Sequence, residues 1–179
     1  NTVATPVLCR PFEHGADIIV HSLTKYIGGH GTTIGGMIID SGKFDWVANK
    51  ARFPMLNEPD PSYHGVVYTA ALGAAAYIGR CRVVPLRNTG AALAPHSAFL
   101  LLQGLETLAL RMERHCSNAL TVANYLQNHP QIAWVNYAAL ANSPHQATCQ
   151  KITGGHASGI LSFGIKGGME AGARFIDAL

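Results

Sequence analysis

Residues 16–36 read ADIIVHSLTKYIGGHGTTIGG. The β-branched run Ile18-Ile19-Val20 predicts a short buried strand over residues 17–20. It ends in two hydroxyls and a lysine, Ser22, Thr24 and Lys25, and a glycine-rich turn follows at Gly28, Gly29 and Gly31. A second apolar run, Ile34 to Asp40, predicts a second strand. A lysine among hydroxyls at the end of a buried strand can be held, oriented and desolvated. Desolvation lowers its pKa and enlarges the neutral fraction that attacks a carbonyl. Ser22 and Thr24 can donate to phosphate oxygens, and N–H groups of the glycine-rich turn can add more. The pattern suits a Schiff-base lysine beside a phosphate group. Against it stands the ordinary fate of a lysine at a turn, which is a solvated surface charge.

Three other motifs use the same residues. Ser22-Leu23-Thr24-Lys25 fits S-x-x-K, in which Ser22 is an acyl-transfer nucleophile as in penicillin-binding enzymes. No Ser-Asp-Asn or Lys-Thr-Gly partner occurs, and the motif follows a strand rather than opening a helix. A dinucleotide fingerprint begins at Gly29-His30-Gly31, but Ile34 stands where the third glycine belongs. A phosphate-binding loop of the Gly-Lys-Ser/Thr kind is absent. Nine histidines invite a metal reading, yet His14, His21 and His30 are seven and nine residues apart, with no i,i+4 pair. Polar or core roles suit them better. Asp17 and Asp40 bracket the strands and read as structural.

Composition bounds the function classes. The 179 residues suit one domain, or one and part of another. Only 13% of residues are charged, against ~25% in an average soluble domain, while 48% are hydrophobic, so covered surface is expected. The net charge of +3 comes from scattered Lys and Arg, which argues against nucleic acid. No apolar run approaches the ~18 residues of a membrane span. Cys9, Cys81, Cys116 and Cys149 lack any ligand spacing and read as separate thiols in a reducing, cytoplasmic compartment. The opening NTVATPVLCRPF lacks signal-peptide architecture, and the chain ends inside a helical pattern at 170–179, so an excerpt of a longer protein is expected.

Further along, Lys43 to Lys50 predicts a short helix. FPMLNEPDPSYHG, residues 53–65, predicts a long loop of the functional kind. Tyr68 to Gly79 predicts a helix, and a longer one runs from Ser97 to Gln127 with Leu105, Leu108, Met112, Cys116, Ala119, Ala123 and Leu126 on one face. Residues 132–137 and 160–165 predict strands, with a polar, loop-rich stretch at 141–156 between them. The change of character places a boundary near 125–130, giving parts 1–127 and 128–179 joined by the long helix.

Ser22, Thr24, Lys25, Tyr26, Ile27, Gly29 and His30 also spell a pattern: small hydroxyl, x, Thr, Lys, aromatic, aliphatic, x, Gly, His. It resembles the lysine signature of the Cys/Met-metabolism family of pyridoxal-phosphate enzymes. NTVATP at 1–6, GKFDW at 42–46, EPDPSYHG at 58–65 and FLLLQGLETLALRMERH at 99–115 extend the resemblance along nearly the whole chain. GTTIGG, GKFDW and EPDPSYHG most resemble the O-acetylhomoserine sulfhydrylase branch.

The resemblance implies an α/β, type I pyridoxal-phosphate transferase fold. Residues 1–127 would be the C-terminal part of a large, mostly parallel-sheet domain, and 128–179 the beginning of a small C-terminal α/β domain. It implies pyridoxal 5'-phosphate as cofactor, held covalently by Lys25 with Ser22 and Thr24 on its phosphate. The implied reaction converts O-acetyl-L-homoserine and sulfide to L-homocysteine and acetate, in a cytoplasmic homotetramer or homodimer. Lys25 is then anchor first and general base afterwards. Cystathionine γ-synthase or methionine γ-lyase chemistry is the nearest enzymatic alternative, and a non-catalytic truncated remnant the alternative of another class. The family's aspartate for the pyridine nitrogen would stand one residue before Asn1. Its stacking tyrosine lies further upstream, and its carboxylate-binding arginine beyond Leu179. The segment alone is therefore expected to be inactive or poorly folded.

Overall fold

The computed structural model describes all of Asn1–Leu179. In chain order the helices are α1 (Thr5–Leu8), α2 (Pro54–Asn57), α3 (Tyr68–Leu72), α4 (Ala76–Cys81), α5 (Arg87–Thr89), α6 (Pro95–Glu106), α7 (Leu108–Gln127), α8 (Gln146–Thr153) and α9 (Gly168–Asp177). The strands are β1 (Ile18–Ser22), β2 (Gly36–Asp40), β3 (Ile132–Asn136) and β4 (Ser162–Ile165). No helix is long and apolar enough to cross a membrane. Two compact units result: Asn1–Thr2 with Arg10–Leu105, and Val3–Cys9 with Glu106–Leu179.

In the first unit β1 and β2 pair antiparallel, Ile18 opposite Asp40 and Ser22 opposite Gly36. The mostly parallel sheet implied by the resemblance is not assembled within these residues. The connection from 23 to 35 contains no crossover helix and closes on itself, and such a connection returns the chain antiparallel. Ile19 and His21 are buried on one face, whereas Val20 is 58% exposed on the other, so the strand is not buried throughout as predicted.

Below the ribbon, Trp46, Leu56, Tyr68 and Ala76 form the core, with Phe44, Phe53 and Tyr77 packed against it. Trp46 stacks on Tyr77 at 5.5 Å and meets Phe53 edge-on at 5.0 Å, contacts worth about 0.5–1.5 kcal/mol each beyond the area they bury. The helix predicted over 43–50 is instead a run of turns. Asp45 Oδ1 accepts from the Ala48 N–H at 2.9 Å, and the Asn49 amide donates to the Asp45 carbonyl, local bonds that compete with helix formation.

The predicted long loop at 53–65 is ordered from within. It opens on α2, and Asp60 then organises the rest. Its Oδ1 accepts from the Ser62 N–H at 2.8 Å and the Ser62 hydroxyl at 2.7 Å, and its Oδ2 accepts from the Tyr68 hydroxyl at 2.8 Å. The helix predicted over 68–79 breaks at Gly73, which takes φ +52°, and α4 then runs into a wide turn, Arg82–Leu86, built around Pro85. Proline has no N–H to give the helix ladder, which forces that widening.

The single helix predicted over 97–127 is two. Thr107 leaves helical geometry at φ −102°, ψ 5°, and its carbonyl accepts the first bond of α7 from the Arg111 N–H at 3.0 Å. Leu105 therefore belongs to a different helix from the rest of the expected stripe. Leu108, Met112, Cys116, Ala119 and Ala123 are buried along α7 as that stripe requires. Ala119 and Ala123 pack on Tyr137 and Leu140, and so α7 groups with the second unit instead of bridging from the first.

In that unit β3 and β4 pair antiparallel with an irregularity between Ile132 and Trp134. The stretch 141–156, predicted as loop, holds α8, whose end is marked by Lys151 and by Gly154 at φ +64°. The Tyr137 hydroxyl is buried and donates to the Ser158 carbonyl at 2.7 Å, where Ser158 itself sits at φ +67°.

Two outcomes follow from these ties. Tyr137→Phe leaves a buried carbonyl without its donor and is expected to cost about 1–3 kcal/mol, read from the midpoint of a urea titration. Hydrogen bonds from Ser62, then Tyr68, hold the Asp60 carboxyl below its ordinary value. The unfolded chain thus binds that proton more readily, and the stabilisation is complete above about pH 3.9 and fades as pH falls through the lower folded value. Asp60→Asn is expected to flatten the acid limb of a stability-versus-pH curve, and an unaltered limb would show that Asp60 does not contribute to it.

Candidate active site

The site is built on the connection between β1 and β2. The Leu23 N–H donates to the Gly35 carbonyl at 2.9 Å, and the Gly35 N–H donates to Thr24 Oγ1 at 3.0 Å. The Thr24 hydroxyl in turn donates to the Gly35 carbonyl at 3.3 Å. Between these ties the chain makes a helical bend, with the Gly28 N–H on the Leu23 carbonyl and the Gly29 N–H on the Lys25 carbonyl, both at 2.8 Å. Leu23 and Ile27 point down and are buried. Lys25, two residues from each, is on the opposite side of the bend and exposed. Gly29 and Gly31 take φ +75° and +65°, the left-handed geometry that turns the chain back toward β2.

Residues 1 and 2 run beside the exit of β1. The Asn1 backbone nitrogen donates to the Val20 carbonyl at 2.8 Å, and Thr2 Oγ1 accepts from the Ser22 N–H at 2.8 Å. His21, buried beneath, hydrogen-bonds the Asn1 backbone, while its Nδ1 has no partner. Desolvation by burial lowers its pKa and favours the neutral imidazole.

The three residues singled out by sequence thus sit together at the strand exit, with two differences from expectation. Lys25 is solvated rather than desolvated in this chain. The N–H groups of Gly28 and Gly29 close the bend, so they do not form an anion-binding cradle. The donor set is then the Ser22 hydroxyl and the Lys25 amine, with the Thr24 hydroxyl joining them only if its proton leaves the Gly35 carbonyl. A primary amine condenses with an aldehyde and hydroxyls donate to a phosphate ester, so this set fits a pyridoxal-phosphate-type group. The supporting roles of Thr2 and His21 had no motif to mark them, because their bonds join positions about 20 residues apart. A cavity of 640 Å³ in the same unit, lined by Asp17, Phe44, Trp46, Phe53, Tyr77 and Arg80 among others, does not include Ser22, Thr24 or Lys25.

The Cys/Met metabolism PLP-dependent enzyme family matches across residues 1–179. A homocysteine synthase of Schizosaccharomyces pombe is 52% identical over 172 residues, 96% of this chain and 40% of the relative. An O-acetyl-L-homoserine sulfhydrylase of Leptospira meyeri is 49% identical over all of this chain and 42% of its own length. A solved O-acetylhomoserine (thiol)-lyase of Campylobacter jejuni, which carries an N'-pyridoxyl-lysine-5'-monophosphate, is 48% identical with a TM-score of 0.86 over 93% of this chain and 40% of that one. The chain spans about two fifths of the length of these relatives.

Thr24→Val keeps the side-chain shape and removes the acceptor of the Gly35 N–H. It is expected to cost about 1–2 kcal/mol in denaturant unfolding and to speed amide exchange at Gly35, with Thr24→Ser close to the parent.

Proposed function

This chain belongs to the Cys/Met-metabolism family of PLP-dependent enzymes, and we propose that it is the cofactor-anchoring segment of an O-acetylhomoserine sulfhydrylase. The proposed reaction is O-acetyl-L-homoserine plus sulfide to L-homocysteine plus acetate: the C–O bond at Cγ breaks, acetate keeps the electron pair, and hydrosulfide forms the new C–S bond. One observation carries the reading. Lys25 is presented on the exposed side of a bend pinned by buried Leu23 and Ile27, with the hydroxyl-bearing Ser22 and Thr24 beside it. The names of the relatives and the pyridoxyl-lysine of the Campylobacter protein support it.

Pyridoxal phosphate, when bound, supplies an electron sink for charge developing at the substrate's Cα. The chain's own residues do the rest of what this segment contributes. Ser22 Oγ would donate a hydrogen bond to the phosphate. Thr24 Oγ1 accepts from the Gly35 N–H and points its proton at the Gly35 carbonyl, and it would donate to the phosphate by turning that proton away from the carbonyl. Lys25 Nζ would hold the cofactor covalently. Its free amine would take the substrate's Cα proton and carry protons to and from Cβ. In the complete protein we assign a type I fold, with residues 1–127 in the large domain and 128–179 opening the small one. We also assign a cytoplasmic homodimer or homotetramer.

Lys25→Ala in the full-length protein is expected to abolish the visible absorbance of the lysine-bound cofactor. Sulfide-dependent homocysteine formation should drop by about 10³-fold or more. Borohydride reduction of the parent should mark the peptide containing Lys25. Parent-like absorbance in the variant, or label on another lysine, would overturn the assignment.

A further inference from the structure

α6 meets the lysine-bearing bend through bare backbone. A Cβ on Gly104 would overlap the Gly28 carbonyl oxygen and would lie 2.7 Å from the Gly28 carbonyl carbon and 2.8 Å from the Ile27 carbonyl oxygen. All three atoms are main chain, so nothing flexible can give way. Three residues earlier on the same helix, Leu101 is buried between Gly28, midway along the connection, and Gly35 at its end. A Cβ on Gly28 would lie 3.0 Å from Leu101 Cδ2, and one on Gly35 would lie 2.8 Å from Leu101 Cδ1. Glycine is among the poorest helix formers, and Gly104 sits near the end of a 12-residue helix where alanine would suit the backbone better. Gly172 in α9 makes the contrast, since a Cβ there would meet nothing within 4 Å.

We propose that Gly104 is a positioning residue for Lys25: its missing side chain sets how low the 23–29 bend sits on α6, and hence where the lysine amine is carried. The inference rests on the reading of Lys25 as the cofactor anchor. The link from Gly104 to Lys25 is short and stiff. Gly104 supports the carbonyls of Ile27 and Gly28, and the next residue, Gly29, donates its N–H to the Lys25 carbonyl at 2.8 Å. Leu23 and Ile27 anchor the bend on either side of Lys25, so raising one end tilts the lysine rather than merely loosening it. Displacing a reacting group by about 1 Å costs on the order of 100-fold in rate.

The test uses the full-length protein with Gly104→Ala, and Gly172→Ala as the control for a helical glycine without close neighbours. Three properties are read: amide exchange at Gly28 and Gly29 in the cofactor-free protein, the rate at which added pyridoxal phosphate becomes reducible onto Lys25 by borohydride, and circular dichroism. Gly104→Ala is expected to retain the parent circular dichroism, exchange faster at Gly28 and Gly29, and bond the cofactor to Lys25 roughly 100-fold more slowly. Gly172→Ala should match the parent in all three. Parent-like exchange and trapping in Gly104→Ala would overturn the proposal, as would slowed trapping with unchanged exchange. If Gly104→Ala does not fold, Leu101→Ala removes the packing at Gly28 and Gly35 without a clash. It should then speed exchange at Gly28 and Gly35 and slow trapping, and parent-like values there would overturn the proposal equally. No trapping in the parent itself would defeat the reading of Lys25, while the exchange comparison, which needs no cofactor, still decides whether Gly104 holds the bend.

Discussion

The hydrogen bonds that Gly35 makes with Leu23 and Thr24 are the constraint on which the candidate site depends. Two strands that diverge after Ser22 would otherwise leave a connection of 13 residues with no regular structure. Closing it at its base turns a long loop into a short one, and the entropy of ordering residues 24–34 falls accordingly. The tie also settles orientation. With Leu23 and Thr24 fixed, the helical bend can start in only one direction. Leu23 and Ile27 are buried on one side, and Lys25 is left on the other.

The same solution recurs away from the site. Asp60 takes three hydrogen bonds and makes a defined turn from a segment with three prolines. The Tyr137 hydroxyl satisfies the carbonyl of Ser158, a non-glycine residue in left-handed geometry. In each case one polar side chain fixes the conformation of a loop, and at Tyr137 it also meets a backbone carbonyl that burial would strand. The apolar clusters around Trp46 and around Tyr137 then supply the area, and the polar ties supply the conformation.

Much of this was legible in residue order because it depends on neighbours. Both strand pairs follow β-branched or alternating runs, and α7 follows the three-and-four spacing of Leu108, Met112, Cys116, Ala119 and Ala123. Misreadings occurred where a local bond outweighed the pattern. Thr107 ended one helix and capped the next, Asp45 and Asn49 replaced a helix with turns, and Gly73 split an alanine-rich run. α8 has only eight residues, with Cys149 alone fully buried, too short a stretch for a repeating apolar spacing to stand out. Gly154 after Lys151 was the available signal.

The sequence by itself determined the chemistry on offer: a lysine, two hydroxyls and a glycine-rich return, in an order matching a PLP-dependent family along its full length. Covalent spacing places Ser22, Thr24 and Lys25 within four residues whatever the rest of the chain does. Only the tertiary structure decided how those groups are spent. It showed Lys25 solvated, Gly28 and Gly29 bonded within the bend, Thr24 shared with Gly35, and Ser22 tied through its N–H to Thr2. It also brought Gly104 under Gly28 from 76 positions away. Donors, acceptors and close approaches of this kind are set by which distant backbones meet, and no local pattern encodes that.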